Sequence, residues 1–422
     1  YNPEATEIFH EGLRLPVVRL VEAGTVRDDV WELLLLNSRT PDLLDGDLRA
    51  MVGSTRIGAD QLAEIVADLG LNEALALFDG VCDHAERRFR AVVADLPDGV
   101  WHATEEWDDD CFGPLDPPAR LRLALAVDGD RLVVDFTGTD PQIRGFKNSG
   151  LVNTWSAISM GLISYFDPSL PRNEGTFRCV EMIAPEGTIV NARPPAPMTM
   201  NTVIPAHEIV HLVWRCLSQA DPDRSLAGWG KNIFGVTAGE SDGAPYVMYH
   251  WNAAAGGGAT RDRDGFNQIG HLIALGGLTL PDIEFTEHRY PVRYRRQEFR
   301  CDGGGAGRFR GGTGIDYEID VLTTARWSFR GEGLGAPSGW GVAGGHDSAG
   351  GEMRLHPADD GPTFEAPKYG LGEFPPVRLV ARSPGGGGWG DPLERDRAAV
   401  ARDVSDGVVS EEAARDVYGW QP

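Results

Sequence analysis

Apolar residues recur at helical spacing through residues 1–100 of the chain. Leu75, Phe78 and Cys82, for example, follow one another at intervals of three and four residues, which places their side chains on one face of a helix. Asp28 and Asn72 stand at the start of two such segments and are predicted to cap them. We therefore predict helices in three segments, 28–37, 58–69 and 72–96.

Runs that alternate between apolar and polar residues predict a β-rich region after residue 100. The clearest pair is 120–126 and 131–136, which a turn centred on Gly129 joins into a hairpin. A second strand pair is predicted at 177–183 and 188–191. The alternation of apolar and polar residues in this part of the chain has the two-residue period of half-buried strands.

Two longer periodic segments interrupt the strands and predict helices at Leu151–Tyr165 and 206–219. The remaining alternating runs predict further strands at 246–251, 292–301, 314–322 and 326–330.

These elements predict an α+β chain in three regions. Residues 1–100 form a helical region, and residues 101–383 form a β-rich core with inserted helices and glycine-rich loops. Residues 384–422 form a linker and two short helices, which Asp391 or Ser410 would cap.

Glycine is unusually frequent, with 54 residues, and many of them are clustered. Tight loops that need positive φ would explain the clusters, and so would backbone amides offered to a substrate or partner. We favour the first interpretation for any single cluster. The clusters lie at 256–258, 303–307, 311–314, 344–345 and 385–388.

The formal net charge of −24 argues against a nucleic-acid partner, because phosphate binding requires clustered cations. No apolar run approaches the roughly 20 residues that span a bilayer, and the first residues do not form a secretory signal. Five cysteines lie far apart without Cys-x-x-Cys spacing, which predicts reduced thiols and a cytoplasmic protein. The chain opens at Tyr1 rather than Met, and we interpret it as a fragment, a processed product or a split subunit.

Lysine is rare in this chain and is found only at Lys147, Lys231 and Lys368. A Walker A loop needs a lysine that follows a spaced glycine and precedes Ser or Thr. Gly230-Lys231-Asn232 lacks both of these neighbours. The sequence therefore predicts no nucleotide site of this type.

Several short segments, in order along the chain, resemble those of the hydantoinase B/5-oxoprolinase family, and together they cover nearly the whole chain. The segments read ATEIFHEGLR (5–14), NSRTP (37–41), GDLRA (46–50), DFTGTDPQ (135–142), RG (144–145), IAPEGT (183–188), YPV (290–292), GGGAGRFRGG (303–312) and PGGGGWGDPLERD (384–396).

This resemblance implies a B-type subunit like those of N-methylhydantoinase, caprolactamase and acetone or acetophenone carboxylase complexes. Such a subunit works with a hydantoinase A-like ATPase subunit, which binds ATP and Mg²⁺. ATP phosphorylates a carbonyl or enolate oxygen, or bicarbonate, so that a cyclic amide is hydrolysed or a ketone is carboxylated. The resemblance thus implies a hetero-oligomeric enzyme whose nucleotide lies in the partner.

Two features depart from the family pattern. Family members hold a divalent metal, Zn or Mn, through His and Asp residues upstream of the segment at 5–14, and that N-terminal segment does not precede residue 1 here. We therefore expect the metal in an upstream segment of a longer product or on a separate chain. The segment 271–278 is mostly apolar where hydantoinase-like members are polar, which argues against a hydantoin substrate. Together with 280–284, it slightly favours the ketone-carboxylase branch.

His207-Glu208-Ile209-Val210-His211 is a literal His-Glu-x-x-His motif on a predicted helix. At this spacing two imidazoles can bind Zn²⁺ while the glutamate activates water, so a zinc-dependent hydrolase is one alternative. The residues that follow do not supply the third histidine of a metzincin, and the resemblance makes this helix structural. We therefore favour the structural interpretation of His207 and His211.

The loop after the first hairpin supplies candidate substrate-binding residues. Asp135, Asp140, Arg144 and Asn148 follow a strand end, and an arginine fork suits a carbonyl or carboxylate. The alternative is ordinary hydrogen bonding within the loop. Asp302, which precedes a glycine cluster, is a further candidate beside a possible anion-binding nest.

The segment 261–264, Arg-Asp-Arg-Asp, could face a substrate or a partner, although a solvated ion-pair loop is favoured.

The sequence is best interpreted as the non-ATPase subunit of an ATP-dependent complex that hydrolyses a hydantoin, oxoproline or lactam or carboxylates a ketone. One alternative is a catalytically silent scaffold subunit of such a complex. The other is the zinc hydrolase that uses His207 and His211.

Overall fold

The structure is a computed structural model that describes residues 2–251, 253–274, 280–359 and 361–421. In these ranges, the helices and strands form an α+β fold. The helices are α1 (Asp28–Leu36), α2 (Pro41–Leu69), α3 (Leu71–Val93), α4 (Leu151–Tyr165), α5 (Ala206–Ala220), α6 (Ile283–Arg289), α7 (Arg397–Ser405) and α8 (Glu411–Asp416).

Apart from the short pair β1–β2, the strands form three larger sheets, in the orders β3-β4-β5-β6, β14-β11-β7-β8 and β13-β12-β15-β10-β9. The strands are β1 (Val21–Glu22), β2 (Thr25–Val26), β3 (Gly99–Asp109), β4 (Pro114–Asp128), β5 (Arg131–Asp135), β6 (Val180–Ile183), β7 (Phe234–Ser241), β8 (Ala244–Tyr249), β9 (Val292–Phe299), β10 (Ile315–Val321), β11 (Ala325–Arg330), β12 (Glu352–Pro357), β13 (Phe364–Glu365), β14 (Tyr369–Phe374) and β15 (Val377–Arg382).

The long periodic segments were predicted well. The hairpin is formed by β4 and β5, and α4 has the predicted bounds. The segment 188–191 is not the partner of β6, because β6 pairs in parallel with β5 and Thr188 bridges only to Asn191 and Pro141. The expected turn after Ile183 instead leads the chain back over the loop that follows β5.

The two predicted N-caps are wrong by one or two residues. Asp28 lies inside the first turn of α1, where its charge suits the helix N-terminus. Asn72 also lies inside its helix, because Gly70, at φ 82°, separates α2 from α3. Ser410 does cap α8 and accepts a hydrogen bond from Ala413 N, whereas Asp391 caps only the short turn Pro392–Glu394 and Asp396 caps α7.

The fold contains two main cores. In the first, the sheet β3-β4-β5-β6 packs against α3, α4 and α5, with Trp107 and Leu123 among its buried residues. In the second, the two remaining large sheets pack face to face around residues such as Tyr317 and Trp327. Helix α5 is buried along nearly its whole length between α4 and strands β3 and β4.

The glycine clusters meet in one closely packed layer. Gly386 donates to Gly312 O, Gly312 to Gly257 O, and Gly387 to Gly228 O. A Cβ on Gly386 would lie 2.1 Å from Gly257 O, so only glycine allows the backbones to approach this closely. We call this the glycine layer, and define it as residues 228–230, 256–258, 303–305, 311–312 and 385–388.

Of the five predicted clusters, only that at 344–345 contains a glycine with positive φ, Gly344 at 94°, so the interpretation favoured from the sequence is wrong for the other four. None of the glycines in the glycine layer is among the residues with positive φ. The run at 385–388, predicted as part of a linker, is buried and hydrogen bonded at the centre of this layer. The division of the chain into three regions stays a prediction.

Within the described ranges, no helix is both long and apolar enough to cross a lipid bilayer.

Candidate functional site

Helix α5 places the His-Glu-x-x-His motif in the interior of the protein. Its first turn begins at Ala206, and His207, Glu208 and His211 are all buried. Apolar side chains such as Val213 fill the face of α5 toward α4, where Gly161 leaves room for them. The polar side chains of the motif therefore face a polar interior, and they need partners there.

The two histidines contact each other. Their Nε2 atoms lie 3.2 Å apart, and His211 Nε2 also accepts a hydrogen bond from Trp229 N at 3.2 Å. Burial lowers the pKa of His207 to about 3. Burial and the neighbouring His207 likewise lower the pKa of His211, so both rings are neutral at pH 7.

Glu208 pairs with a lysine that approaches from the loop before β7. Its Oε1 lies 3.0 Å from Lys231 Nζ, which also lies 3.3 Å from Oε2 of Glu105 on β3. Arg215, about two turns beyond Glu208 on α5, lies 3.3 Å from the other oxygen of Glu105 and stacks on Trp340. A chain of alternating charges therefore connects α5, β3 and the loop before β7.

A second group of charges lies beside the first. Lys147 Nζ lies 2.8 Å from Glu332 and 3.0 Å from Asp109, and it is fully buried. Lys368 also contacts Asp109, at 2.7 Å, and Tyr369 donates its hydroxyl hydrogen to Glu332. Lys147 thereby fixes the loop after β5 to β3 and to the segment after β11.

All lysines of the chain thus converge on one set of carboxylates. We call this set the lysine–carboxylate cluster, and define it as Lys147, Lys231, Lys368, Glu105, Asp108, Asp109, Glu208 and Glu332.

Opposite charges keep most of the cluster ionised in spite of its burial. Burial opposes the charge of Lys147, but Glu332 and Asp109 hold its pKa above the usual value. Burial also opposes the charge of Glu332, yet Lys147 and Lys368 hold its pKa below the usual range. Glu208 differs, because burial raises its pKa in spite of Lys231. Shifts of this kind are concentrated at functional sites, although structural ion pairs produce them too.

A small cavity of about 10 Å³ borders the cluster, which is the space of one water molecule. The Oε2 atom of Glu208 has no hydrogen-bond partner among the described residues, and it belongs to a residue that lines this cavity. A cavity of this size is too small for a lactam or hydantoin ring. The polar residues around it are His207, Glu208, Lys231, Asn232, Arg330 and Glu332.

The sequence patterns do not predict this cluster, although lysine is rare in the chain. Almost all basic residues of this chain are arginines, and only three are lysines. This contrast indicates that the three lysine positions have a specific structural or functional role. Nothing in the local sequence points to Glu105, Asp109 or Glu332, because only the tertiary fold brings them together.

Two of the predicted substrate-binding residues have hydrogen-bonding roles in the loop. Asp135 accepts a hydrogen bond from Thr137 N at 2.7 Å, and Asp140 accepts one from Arg120 N at 2.8 Å. Both side chains are partly exposed.

Asn148 and Arg144 differ sharply in exposure. Asn148 is buried, and its amide bonds to backbone groups of Ile143, Gly145 and Pro197. Arg144 is exposed, and its guanidinium lies 4.3 Å from the ring centre of Phe112. Of the four loop candidates, Arg144 is therefore the best placed to contact a bound molecule.

Asp302 lies apart from this loop. It has φ 55°, and its carboxylate accepts a hydrogen bond from Ser410 N, at the start of α8. It therefore fixes the C-terminal helices to the glycine layer. Of the apolar segment 271–278, residues 275–278 lie outside the described ranges, while Leu272 is buried in the first core.

Known proteins match this chain over nearly its full length. The family model of hydantoinase B/oxoprolinase matches residues 1–392. The beta subunit of caprolactamase from Pseudomonas jessenii is 34% identical over 99% of this chain, which covers 73% of that protein. A putative D-/L-hydantoinase subunit from Pseudomonas sp. (strain NS671) is 30% identical over 99% of this chain and 71% of its own length.

A solved structure shows the same fold. The crystal structure of ATP-dependent caprolactamase from Pseudomonas jessenii matches 99% of this chain and 73% of its own, with a TM-score of 0.89 and 33% sequence identity. The sequence segments that resemble the hydantoinase B/5-oxoprolinase family and the arrangement of sheets and helices therefore point to the same family. This chain belongs to the hydantoinase B/oxoprolinase family.

Proposed function

We propose that this chain is the non-ATPase, B-type subunit of an ATP-dependent complex that hydrolyses a cyclic amide, with a lactam as the favoured substrate. The observation that carries the proposal is the likeness to ATP-dependent caprolactamase, at 33% identity and a TM-score of 0.89 over 99% of this chain. A hydantoin, 5-oxoproline or a ketone is the alternative substrate within the same family.

The state of the lysines supports an ATP site on a partner subunit. A lysine that binds phosphate must present a free ammonium group. Here Lys147, Lys231 and Lys368 are each held by carboxylates at 2.6 to 3.3 Å. We therefore assign ATP and Mg²⁺ to a hydantoinase A-like partner, on which the carbonyl oxygen or its equivalent is phosphorylated.

The His-Glu-x-x-His motif does not fit a zinc site in the described part of the chain. The Nε2 distance of 3.2 Å would suit two ligands of one metal, but His211 Nε2 is already occupied by Trp229 N–H. Among the described residues, no group of three metal-ligating side chains is assembled. We therefore assign the divalent metal, Zn or Mn, to an upstream segment or to a separate chain.

The loop at 135–149 is the proposed substrate contact of this chain. Lys147 and Asn148 fix it from the interior, so Arg144 projects from a rigid base. A guanidinium can stabilise the negative charge that develops on a carbonyl or phosphoryl oxygen. Asp135 and Asp140 shape the same loop, and Asn148 positions it from the interior, whereas Asp302 holds the start of α8 and is not part of this proposed contact.

The substrate class is tested by reconstitution of this chain, together with the upstream segment or separate chain that carries the divalent metal, with the hydantoinase A-type subunit of the same source. The complex is supplied with ATP and, in separate reactions, with ε-caprolactam, hydantoin, 5-oxoproline, or acetone and bicarbonate. We expect ring opening of the lactam. Carboxylation of the ketone alone would move the chain to the carboxylase branch, and no turnover of any substrate by an assembled complex would contradict the proposal.

The scaffold alternative is tested with Arg144→Ala. If Arg144 contacts the reacting group, the variant complex assembles normally but loses about tenfold or more in activity. Arg131→Ala is a matched control, because Arg131 is also exposed and lies 3.5 Å from Glu181 outside this loop. Equal activity of both variants would favour a silent scaffold.

A further inference from the structure

A large groove lies at the C-terminal end of α4, and its lining residues include no member of the lysine–carboxylate cluster. Its volume is about 730 Å³, which is in the range of small-molecule sites. Two loops, 223–229 and 258–269, form its other sides. The proposed function does not use this groove.

Aromatic and aliphatic side chains form its apolar wall. Trp214 is held in one orientation, because its Nε1 donates to Ser164 Oγ at 3.0 Å and to Gly161 O at 3.1 Å. Phe166, Leu226 and Trp229 also line the groove. A wall built from fixed rings suits a flat apolar ligand.

Arginines surround the opening, although the chain as a whole carries a net charge of −24. Two of them have acidic neighbours, since Arg261 lies 3.6 Å from Asp223, and Arg224 lies 3.3 Å from Asp221. Arg172 and Arg263 also line the groove, and within the described ranges neither makes an ion pair. The guanidinium of Arg263 lies 5.8 Å from the ring centre of Phe266.

The aspartates of the groove do not neutralise these two arginines. Asp264 is engaged elsewhere, because both its oxygens lie 2.7 Å from Arg395. Asp262 accepts a hydrogen bond from Thr260 at 2.6 Å, and among the described residues it forms no ion pair with Arg172 or Arg263. Positive charge and an apolar wall are therefore available together in one concave site.

We infer that this groove binds a small organic carboxylate with a flat apolar body. The carboxylate is held by Arg172 and Arg263, whose forks match its two oxygens. The body of the ligand lies against Trp229, which is partly exposed to the groove, and Phe266, which is exposed to it, whereas Trp214 lies buried behind them.

Ligand-observed NMR titration of the full chain tests the site, with benzoate as the probe and uncharged benzamide as its isostere. We expect benzoate to bind. We expect benzamide to bind about tenfold more weakly, because it lacks the charge-assisted hydrogen bond. The double variant Arg172→Gln/Arg263→Gln loses about tenfold in benzoate affinity. Arg326→Gln, at an exposed arginine of β11, is the control and keeps the original affinity.

Equal binding of benzoate and benzamide would overturn the inference, as would unchanged benzoate affinity in the double variant. Absence of benzoate binding by the unaltered chain would overturn it as well. The altered arginines are exposed, so both variants are expected to fold, and an unchanged thermal unfolding midpoint verifies this. None of these results depends on lactam hydrolysis.

Discussion

Lys231 shows how single residues hold the interior of this protein together. Its ammonium group lies between Glu208 and Glu105, which come from α5 and β3. Burial opposes its charge, but these carboxylates raise its pKa above the usual value. The lysine therefore balances two negative charges that would otherwise lie uncompensated in the interior.

Replacement of Lys231 by methionine tests this role. We expect Lys231→Met to lower the free energy of unfolding by about 3–5 kcal/mol, since it leaves buried carboxylates without a partner. The second change Glu208→Gln should restore part of this loss, because it removes one of those charges. Urea denaturation measures both effects.

An exposed ion pair provides the control. Arg193 lies 3.0 Å from Glu186, and both side chains are more than half exposed. Arg193→Gln should therefore cost less than about 1 kcal/mol. If Lys231→Met costs no more than this, the cluster does not stabilise the fold as described.

The buried histidines predict that stability falls below neutral pH. Burial lowers the pKa of His207 and His250 to about 3 and that of His271 to about 4, and it lowers the pKa of His211 as well. Between the ordinary pKa of about 6.5 and these values, the unfolded chain binds protons that the folded chain does not. The free energy of unfolding therefore decreases as the pH falls through this window.

Glu208 acts in the opposite direction, because its raised pKa lets the folded chain bind a proton first. Burial also raises the pKa of Glu11, but the four histidines outweigh these two carboxylates. Urea midpoints between pH 7.5 and 5 measure the balance, and we expect a loss of several kcal/mol at the acidic end. A constant midpoint over this range would show that the histidines are not buried in neutral form.

Among the elements, the glycine layer has the strictest sequence requirement. Its segments lie backbone against backbone, with hydrogen bonds such as Gly305 N to Gly386 O. Trp229 extends from this layer to His211, and Trp340 packs on the ring of His211 from the adjoining segment. The layer therefore forms one wall of the polar interior.

A pair of glycine substitutions distinguishes close packing from chain flexibility. Gly386→Ala should lower the free energy of unfolding by about 3 kcal/mol, because the new methyl group would meet Gly257 O. Gly53→Ala, in α2, has open space around the new Cβ and should raise it by roughly 0.5–1 kcal/mol. Thermal unfolding of both variants provides the comparison, and similar effects would contradict the packing account.

Local sequence patterns predict the helices and strands of this chain well, but they do not predict which distant segments contact one another. Helix α4 and the hairpin β4–β5 follow from apolar periodicity alone. Helix α2 was found only in its second half, because Gly46 and Gly53 weaken its helical signal. The glycine layer and the lysine–carboxylate cluster join segments far apart in the chain, and no local pattern encodes such contacts.

At the scale of the whole molecule, the family assignment agrees with the arrangement of charges. The ordered segments, the family match over residues 1–392 and the caprolactamase fold support one assignment. The lysines form ion pairs with carboxylates of this chain and do not present free ammonium groups to a nucleotide. Under the proposed function, a partner subunit therefore supplies ATP chemistry, while this chain supplies the rigid loop that carries Arg144.

The most direct test measures phosphate release from ATP by the purified chain, by a hydantoinase A-type subunit, and by the two together with the metal-carrying segment and ε-caprolactam. The account predicts no ATP hydrolysis by this chain alone, and lactam-dependent hydrolysis only when both subunits are present. ATP hydrolysis by the isolated chain, at the rate of the combined subunits, would contradict it.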